Sequence, residues 1–129
     1  INNDRDATDV PIYTIGSGTV VYARTGCVSS SQFASNTLQR ECGAGWGNHL
    51  VIQHSRSVFS RYAHLRTDGV LKAVGEQVEK NEIIGIMGNS GRSDMRHLHL
   101  EIGKSVTPFR SCASSQSFES VTDPRRFGL

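Results

Sequence analysis

Short β-prone runs, each closed by glycine or by a polar turn, recur along this chain and leave it little room to be anything but a β protein. They are Gly18-Thr19-Val20-Val21-Tyr22-Ala23, His49-Leu50-Val51-Ile52-Gln53-His54, Ser57-Val58-Phe59-Ser60-Arg61-Tyr62, Glu82-Ile83-Ile84-Gly85-Ile86-Met87 and His97-Leu98-His99-Leu100-Glu101-Ile102. β-Branched and aromatic residues suit a pleated, half-buried surface, and frequent turn signals between short runs point to antiparallel neighbours. The expectation is an all-β fold on a mainly antiparallel sheet. Residues 31–40 have some helical character but no amphipathic stripe, so little helix is expected.

Turn chemistry orders these runs. The polar His54-Ser55-Arg56-Ser57 reads as a hairpin turn that brings its two flanking strands together. Val74-Gly75-Glu76-Gln77-Val78-Glu79-Lys80-Asn81-Glu82-Ile83-Ile84-Gly85 reads as a hydrophobic-turn unit that bends at Gly75, Asn81 and Gly85. Asparagine tolerates the left-handed conformation, so Asn81 can stand where a turn glycine would. After Ile102 the chain thins into a polar, Ser-rich tail ending Asp123-Pro124-Arg125-Arg126-Phe127, with Phe127 expected to dock back on the body.

A chain of 129 residues fits one compact domain, and 36% hydrophobic residues supply a modest core, so residues 1–129 are read as a single domain. The 14 basic and 12 acidic residues leave a formal charge of +2 with no concentrated basic face, which argues against nucleic acid as a partner. No run approaches the roughly 20 apolar residues of a membrane-spanning helix. The opening Ile1-Asn2-Asn3-Asp4-Arg5-Asp6 is not a signal peptide, so any export signal is expected to have been removed already. Cys27 and Cys42 enclose a Ser/Asn/Gln-rich segment, where a disulfide would tie the neck of a long polar excursion. Three reduced thiols are the alternative, because spacing does not fix connectivity. If the bridge forms, Cys112 stays free or pairs with a cysteine outside this chain.

Five histidines carry the chemical interest: His49, His54, His64, His97 and His99. Residues two apart on a strand point to the same side, so His97 and His99 share a face with α-carbons about 6.6 Å apart. His64, in Tyr62-Ala63-His64-Leu65, ends a β-run from which its ring can reach the same surface. Singly, each of these is an ordinary surface or packing histidine. Their order is more informative: Gly47-Asn48-His49-Leu50-Val51-Ile52-Gln53-His54, Arg61-Tyr62-Ala63-His64-Leu65, Val74-Gly75-Glu76-Gln77-Val78, Ile84-Gly85-Ile86-Met87-Gly88-Asn89-Ser90-Gly91-Arg92-Ser93 and His97-Leu98-His99-Leu100-Glu101-Ile102. Across about residues 10 to 127 this succession resembles the M23 (lysostaphin/LytM-like) zinc metallopeptidases.

The resemblance implies an open groove on the sheet, a zinc ion and a peptidoglycan peptide as substrate. It makes His99 a zinc ligand and His64 and His97 catalytic histidines that do not bind the metal. Zinc with three protein ligands keeps a position for water and lowers its pKa, and neighbouring imidazoles can move protons near working pH. Glu101 is then expected to accept a hydrogen bond behind the site. The family's other ligands, a His and an Asp, are expected upstream of Ile1, since no histidine precedes His49. Asp4, Asp6 and Asp9 are weak substitutes, better suited to turns and surface. His54 reads as a structural hydrogen-bonding group, His49 as a packing residue, and Trp46 as either a groove liner or a buried anchor. Met95-Arg96 stands where relatives often have Gly-Pro, which puts a cation near the groove. Three functions follow from the resemblance. The first is a secreted, periplasmic or cell-envelope zinc endopeptidase cutting peptide cross-links of bacterial peptidoglycan. The others are a non-catalytic module that binds cell wall or regulates a cell-wall hydrolase, and a zinc-dependent amidase or carboxypeptidase of related site design. A regulatory or N-terminal segment is a further expected partner.

Overall fold

The structure, a computed structural model, describes residues 9–28, 35–105 and 117–123. Among them, one eight-stranded sheet forms from β1 (Pro11–Tyr13), β2 (Gly18–Arg24), β3 (Asn48–Gln53), β4 (Val58–Val70), β5 (Gln77–Val78), β6 (Ile83–Met87), β7 (His99–Lys104) and β8 (Ser120–Thr122). Each pairing is antiparallel, in the order β1-β6-β4-β3-β2-β5, with β7 on β4 and β8 on β7. A short 3-10 turn, Cys42–Gly45, is the helical element of the described residues. No helix among the described residues is long and apolar enough to cross a membrane.

The spine is β4. Its first half, from Val58 to Ala63, pairs with β7, whereas Leu65 and Val70 pair with β6; β3 runs along the other side. The hairpin expected at residues 54–57 joins β3 to β4, closed by the His54 N–H on the Val58 carbonyl at 2.9 Å. Both faces of β3 are covered, which is why it reads as an unbroken apolar run. Leu50 and Ile52 join Val20, Tyr62, Leu65, Ile84 and Met87 on one side, and Val51 joins Tyr22 and Phe59 on the other. Full burial of such aliphatic and aromatic side chains stabilises by about 1.5–3 kcal/mol each, so β3 and β4 form the rigid base on which everything else is hung.

Turn expectations hold at Gly75 and Asn81, both of which have positive φ, of 96° and 67°. Gly85 does not bend the chain. It lies within β6, where an added Cβ would come within 2.8 Å of the Gly69 carbonyl oxygen, so close strand packing accounts for this glycine. Residues 35–40 are not helical, and the rest of the 31–40 segment lies outside the described residues. The polar tail contributes β8, which adds to the edge of β7, with Phe118 packed on Phe59. Phe127 and Cys112 lie outside the described residues.

Candidate functional site

At His64, β4 exchanges one partner for another. Ala63 is its last residue paired with β7, opposite His99, and Leu65 pairs with Met87 of β6 and Asn48 of β3. Between them His64 adopts φ 60° and its N–H donates to the Trp46 carbonyl at 2.8 Å. A left-handed non-glycine residue costs about 1 kcal/mol or more, and it persists only where the surroundings over-determine it. Here they do. The irregular residue interrupts the strand's alternation and delivers the ring to a groove.

Three imidazoles meet there: the His64 ring centroid is 4.9 Å from that of His97 and 5.8 Å from that of His99. Each has one nitrogen committed elsewhere. His64 Nδ1 donates to the Ser90 carbonyl at 2.7 Å, and His97 Nδ1 donates to the Met95 carbonyl at 2.7 Å with Ser93 Oγ 3.2 Å away. His99 Nε2 donates to Glu101 Oε1 at 2.9 Å. Carbonyl and ionised carboxylate oxygens only accept, so in the neutral form of each ring these bonds fix which nitrogen carries the proton and leave His64 Nε2, His97 Nε2 and His99 Nδ1 as acceptors. Burial pushes His64 down to about 4, helped by charge on His97 and then His99 and opposed by the Ser90 bond. The ring is therefore neutral at neutral pH.

Ser90 is held by a close backbone approach. Gly47 and Gly91 both have positive φ, and a Cβ on Gly91 would lie 2.4 Å from the Gly47 nitrogen, while one on Gly47 would lie 2.3 Å from Ser90 Oγ. That contact lets the Asn48 N–H donate to Ser90 Oγ at 2.9 Å while Ser90 Oγ donates to the Leu65 carbonyl at 2.6 Å. Buried Asn48 binds the same region from the other side, through Cys27 and the carbonyls of Leu65 and Arg66.

The groove has a volume of about 460 Å³ and is lined by His64, Arg92, Asp94, Met95, His97 and His99. An adjoining hollow of about 330 Å³ shares His64, Arg92 and His99 and adds Ala44, Gly45 and Trp46. Cys27 and Cys42 form a disulfide at the base of the wall that carries these last three residues. The wall is bound to the segment before His97 by Arg92 with Glu41, Arg40 with Asp94, and Asn36 with the Gly91 carbonyl. Behind His99, Glu101 also meets Arg61, whose guanidinium is fully buried 3.4 Å away and lies 3.5 Å over the Trp46 ring. The His99 bond, and more weakly Arg61, hold the Glu101 carboxyl below its ordinary value.

The remaining histidines sit elsewhere. His49 is wholly buried, stacked on Tyr22 and beside Trp46, with Nδ1 2.8 Å from the Gly47 carbonyl. His54 bridges the Ser17 carbonyl and Ser60 Oγ. Trp46 is half-buried and serves both as groove liner and as the cover on Arg61. The cation expected at the groove from Met95-Arg96 is not there: Arg96 is buried, and Arg92 supplies the charge. Sequence reading also passed over Arg61 and Ser90. An arginine inside Phe59-Ser60-Arg61-Tyr62 was a usable signal, since a charge in a central strand requires a partner.

A zinc ion would need three protein ligands around one point. Among the described residues, no group of three or more His, Cys, Asp or Glu side chains is placed to hold a metal. Asp9 is exposed and paired with Arg66, and Asp4 and Asp6 lie outside the described residues. The described residues alone therefore do not fit zinc.

The model of peptidase family M23 matches residues 4–111. The chain is 35% identical over 92 residues to the peptidoglycan DD-endopeptidase ShyA of Vibrio cholerae, covering 71% of this chain and 17% of that protein. It is 36% identical over 103 residues to lipoprotein NlpD of Yersinia enterocolitica, covering 78% of this chain and 87% of that one. It is 38% identical over 81 residues to the murein hydrolase activator NlpD of Escherichia coli, covering 60% and 19%. Among solved structures, the catalytic domain of the prophage-encoded M23 protein EnpA from Enterococcus faecalis superposes with a TM-score of 0.63 at 20% identity, covering 95% of this chain and 72% of that one, a likeness of fold. Family match and sheet architecture agree, and the chain belongs to peptidase family M23.

Proposed function

We propose that this domain binds the peptide part of bacterial peptidoglycan in the cell envelope, as a module that regulates a cell-wall hydrolase. The observation that carries this reading is the groove itself: three imidazoles, each with one ring nitrogen committed to a neighbouring oxygen and the other facing the groove, without a metal-holding set among the described residues. Such nitrogens accept from peptide N–H groups, the Arg92 fork can donate to a carboxylate, and Trp46 and Met95 offer apolar contact. The relatives named as a lipoprotein and as a murein hydrolase activator support both the role and the envelope location.

The juxtaposition of His64 and His97 with His99 favours a second reading, a zinc endopeptidase hydrolysing peptidoglycan cross-links, as the name of the Vibrio relative would suggest. In it His99 is a ligand, His64 and His97 are catalytic, Glu101 orients His99, and a His and an Asp come from outside the described residues. One experiment separates the two. The chain is sedimented with purified sacculi, with and without equimolar zinc, and both bound protein and released peptide are measured. Binding without release is the expected result; zinc-dependent release selects the peptidase, and neither binding nor release overturns both readings.

A further inference from the structure

Arg61 and Arg96 are the largest fully buried side chains of the described residues, and Arg61 is a cation in β4, flanked there by the core residues Phe59 and Tyr62. It lies between Trp46, 3.5 Å from its guanidinium carbon, and Phe118, at 4.7 Å. Burying a charge is costly unless other charges and dipoles compensate for it, and Glu101 brings a carboxylate oxygen to 3.4 Å. Strand register makes this no accident of side-chain rotation: Arg61 stands directly opposite Glu101 across β4 and β7, and Ala63 stands opposite His99. The methyl of Ala63 offers His99 no hydrogen bond. Ring orientation therefore depends on Glu101, two residues along the same face of β7.

We propose that Arg61 is a positioning residue, which acts through Glu101 to keep His99 in the Nε2–H tautomer with Nδ1 presented to the groove. The guanidinium holds one carboxylate oxygen and leaves the other aimed at His99 Nε2, 2.9 Å away. Trp46 covers the guanidinium and lines the groove, so the wall that meets the ligand also shields the pair from water. This deepens the proposed function of the same groove, but its readout needs no ligand, so its failure is distinct from failure to bind cell wall.

The test is a long-range proton–nitrogen correlation spectrum of the 15N-labelled, metal-free chain at about pH 7.5, where imidazole nitrogens report the tautomer. The wild type should show His99 as a single Nε2–H form. Arg61→Met should convert it to a mixture, with loss of at least a third of the Nε2–H population, and Arg61→Lys should restore most of it. Glu101→Gln should release His99 to the same extent as Arg61→Met, which keeps the proposal open to refutation if Arg61→Met does not fold. His99 unchanged in folded Arg61→Met, or unchanged in Glu101→Gln, would overturn it, because an arginine serving only to fill the sheet would alter stability and leave the tautomer alone.

Discussion

His49 and His64 are both buried histidines, and burial pushes each down to about 4, yet one belongs to the core and the other to the groove. His49 is enclosed by Tyr22 and Trp46, and its backbone does not enter the left-handed region. His64 is buried almost as deeply but differs in conformation: its left-handed backbone lies where β4 changes partners, and His97 and His99 face it. A lowered histidine pKa is thus no mark of function in this protein. What separates the two is the backbone at each position and what lies beyond the ring.

Deletion should expose that difference most strongly. His49→Ala leaves a hole walled by Tyr22, Trp46 and the sheet, and is expected to cost about 3 kcal/mol, as for other large buried rings. His64→Ala opens its hole to the groove, where water can refill it, and is expected to cost about 1 kcal/mol. Urea unfolding of the two variants measures the contrast. Equal losses would mean that His64 is as much a core residue as His49.

Acid should act on both rings alike. Each titrates near 6.5 when unfolded and near 4 when folded, so between those values the unfolded chain binds more protons. Stability is then fully present above pH 6.5 and falls as pH drops towards 4, by up to about 3 kcal/mol per ring. Unfolding midpoints followed through the single tryptophan, Trp46, across this range test the slope. His49→Gln should remove about half of the fall, and an undiminished fall in that variant would assign the acid sensitivity elsewhere.

The core histidine was more legible in the sequence than the groove. β-Branched runs announced β2, β3, β4, β6 and β7, because burial on a sheet demands those residues, and Asn81 announced its turn because few side chains tolerate φ of 67°. Packing for His49 followed from the family resemblance, in which its position is often aromatic. The conformation of His64 did not follow from Tyr62-Ala63-His64-Leu65, which reads as the end of a β-run, whereas β4 continues to Val70. It is imposed by the partner exchange and by the Trp46 and Ser90 carbonyls, contacts made by residues 18 before and 26 after it in the chain. Residues 88–96 have no hydrophobic period, so nothing local distinguished buried Arg96 from groove-lining Arg92.

If the groove histidines are held for ligand, removing one should separate binding from stability. His97 is only partly buried and its Nδ1 bond stays within its own segment, so His97→Ala should leave the unfolding midpoint within about 0.5 kcal/mol of wild type. Loss of one acceptor to a peptide N–H is worth about a tenfold fall in affinity, which sedimentation with sacculi would register. Unaltered binding would leave His97 outside the recognition surface and narrow the groove's working part to His64 and His99.

The smallest effect concerns Arg92, and its sign is more informative than its size. Arg92 donates through Nε and the adjoining amine to both carboxylate oxygens of Glu41, with both side chains exposed. An exposed pair of this kind adds little to stability, so neither partner's replacement should move the unfolding midpoint measurably. Binding is different, because a ligand carboxylate must compete with Glu41 for the same fork. Arg92→Ala should weaken binding of a carboxylate-bearing peptide about threefold, and Glu41→Gln should strengthen it by a similar factor, as expected for one exposed charge contact. Both changes should shrink as salt is raised from about 0.05 M to about 0.5 M, since screening acts on exposed charges. If Glu41→Gln weakens binding as Arg92→Ala does, the pair serves to brace the groove wall and the fork does not read the ligand.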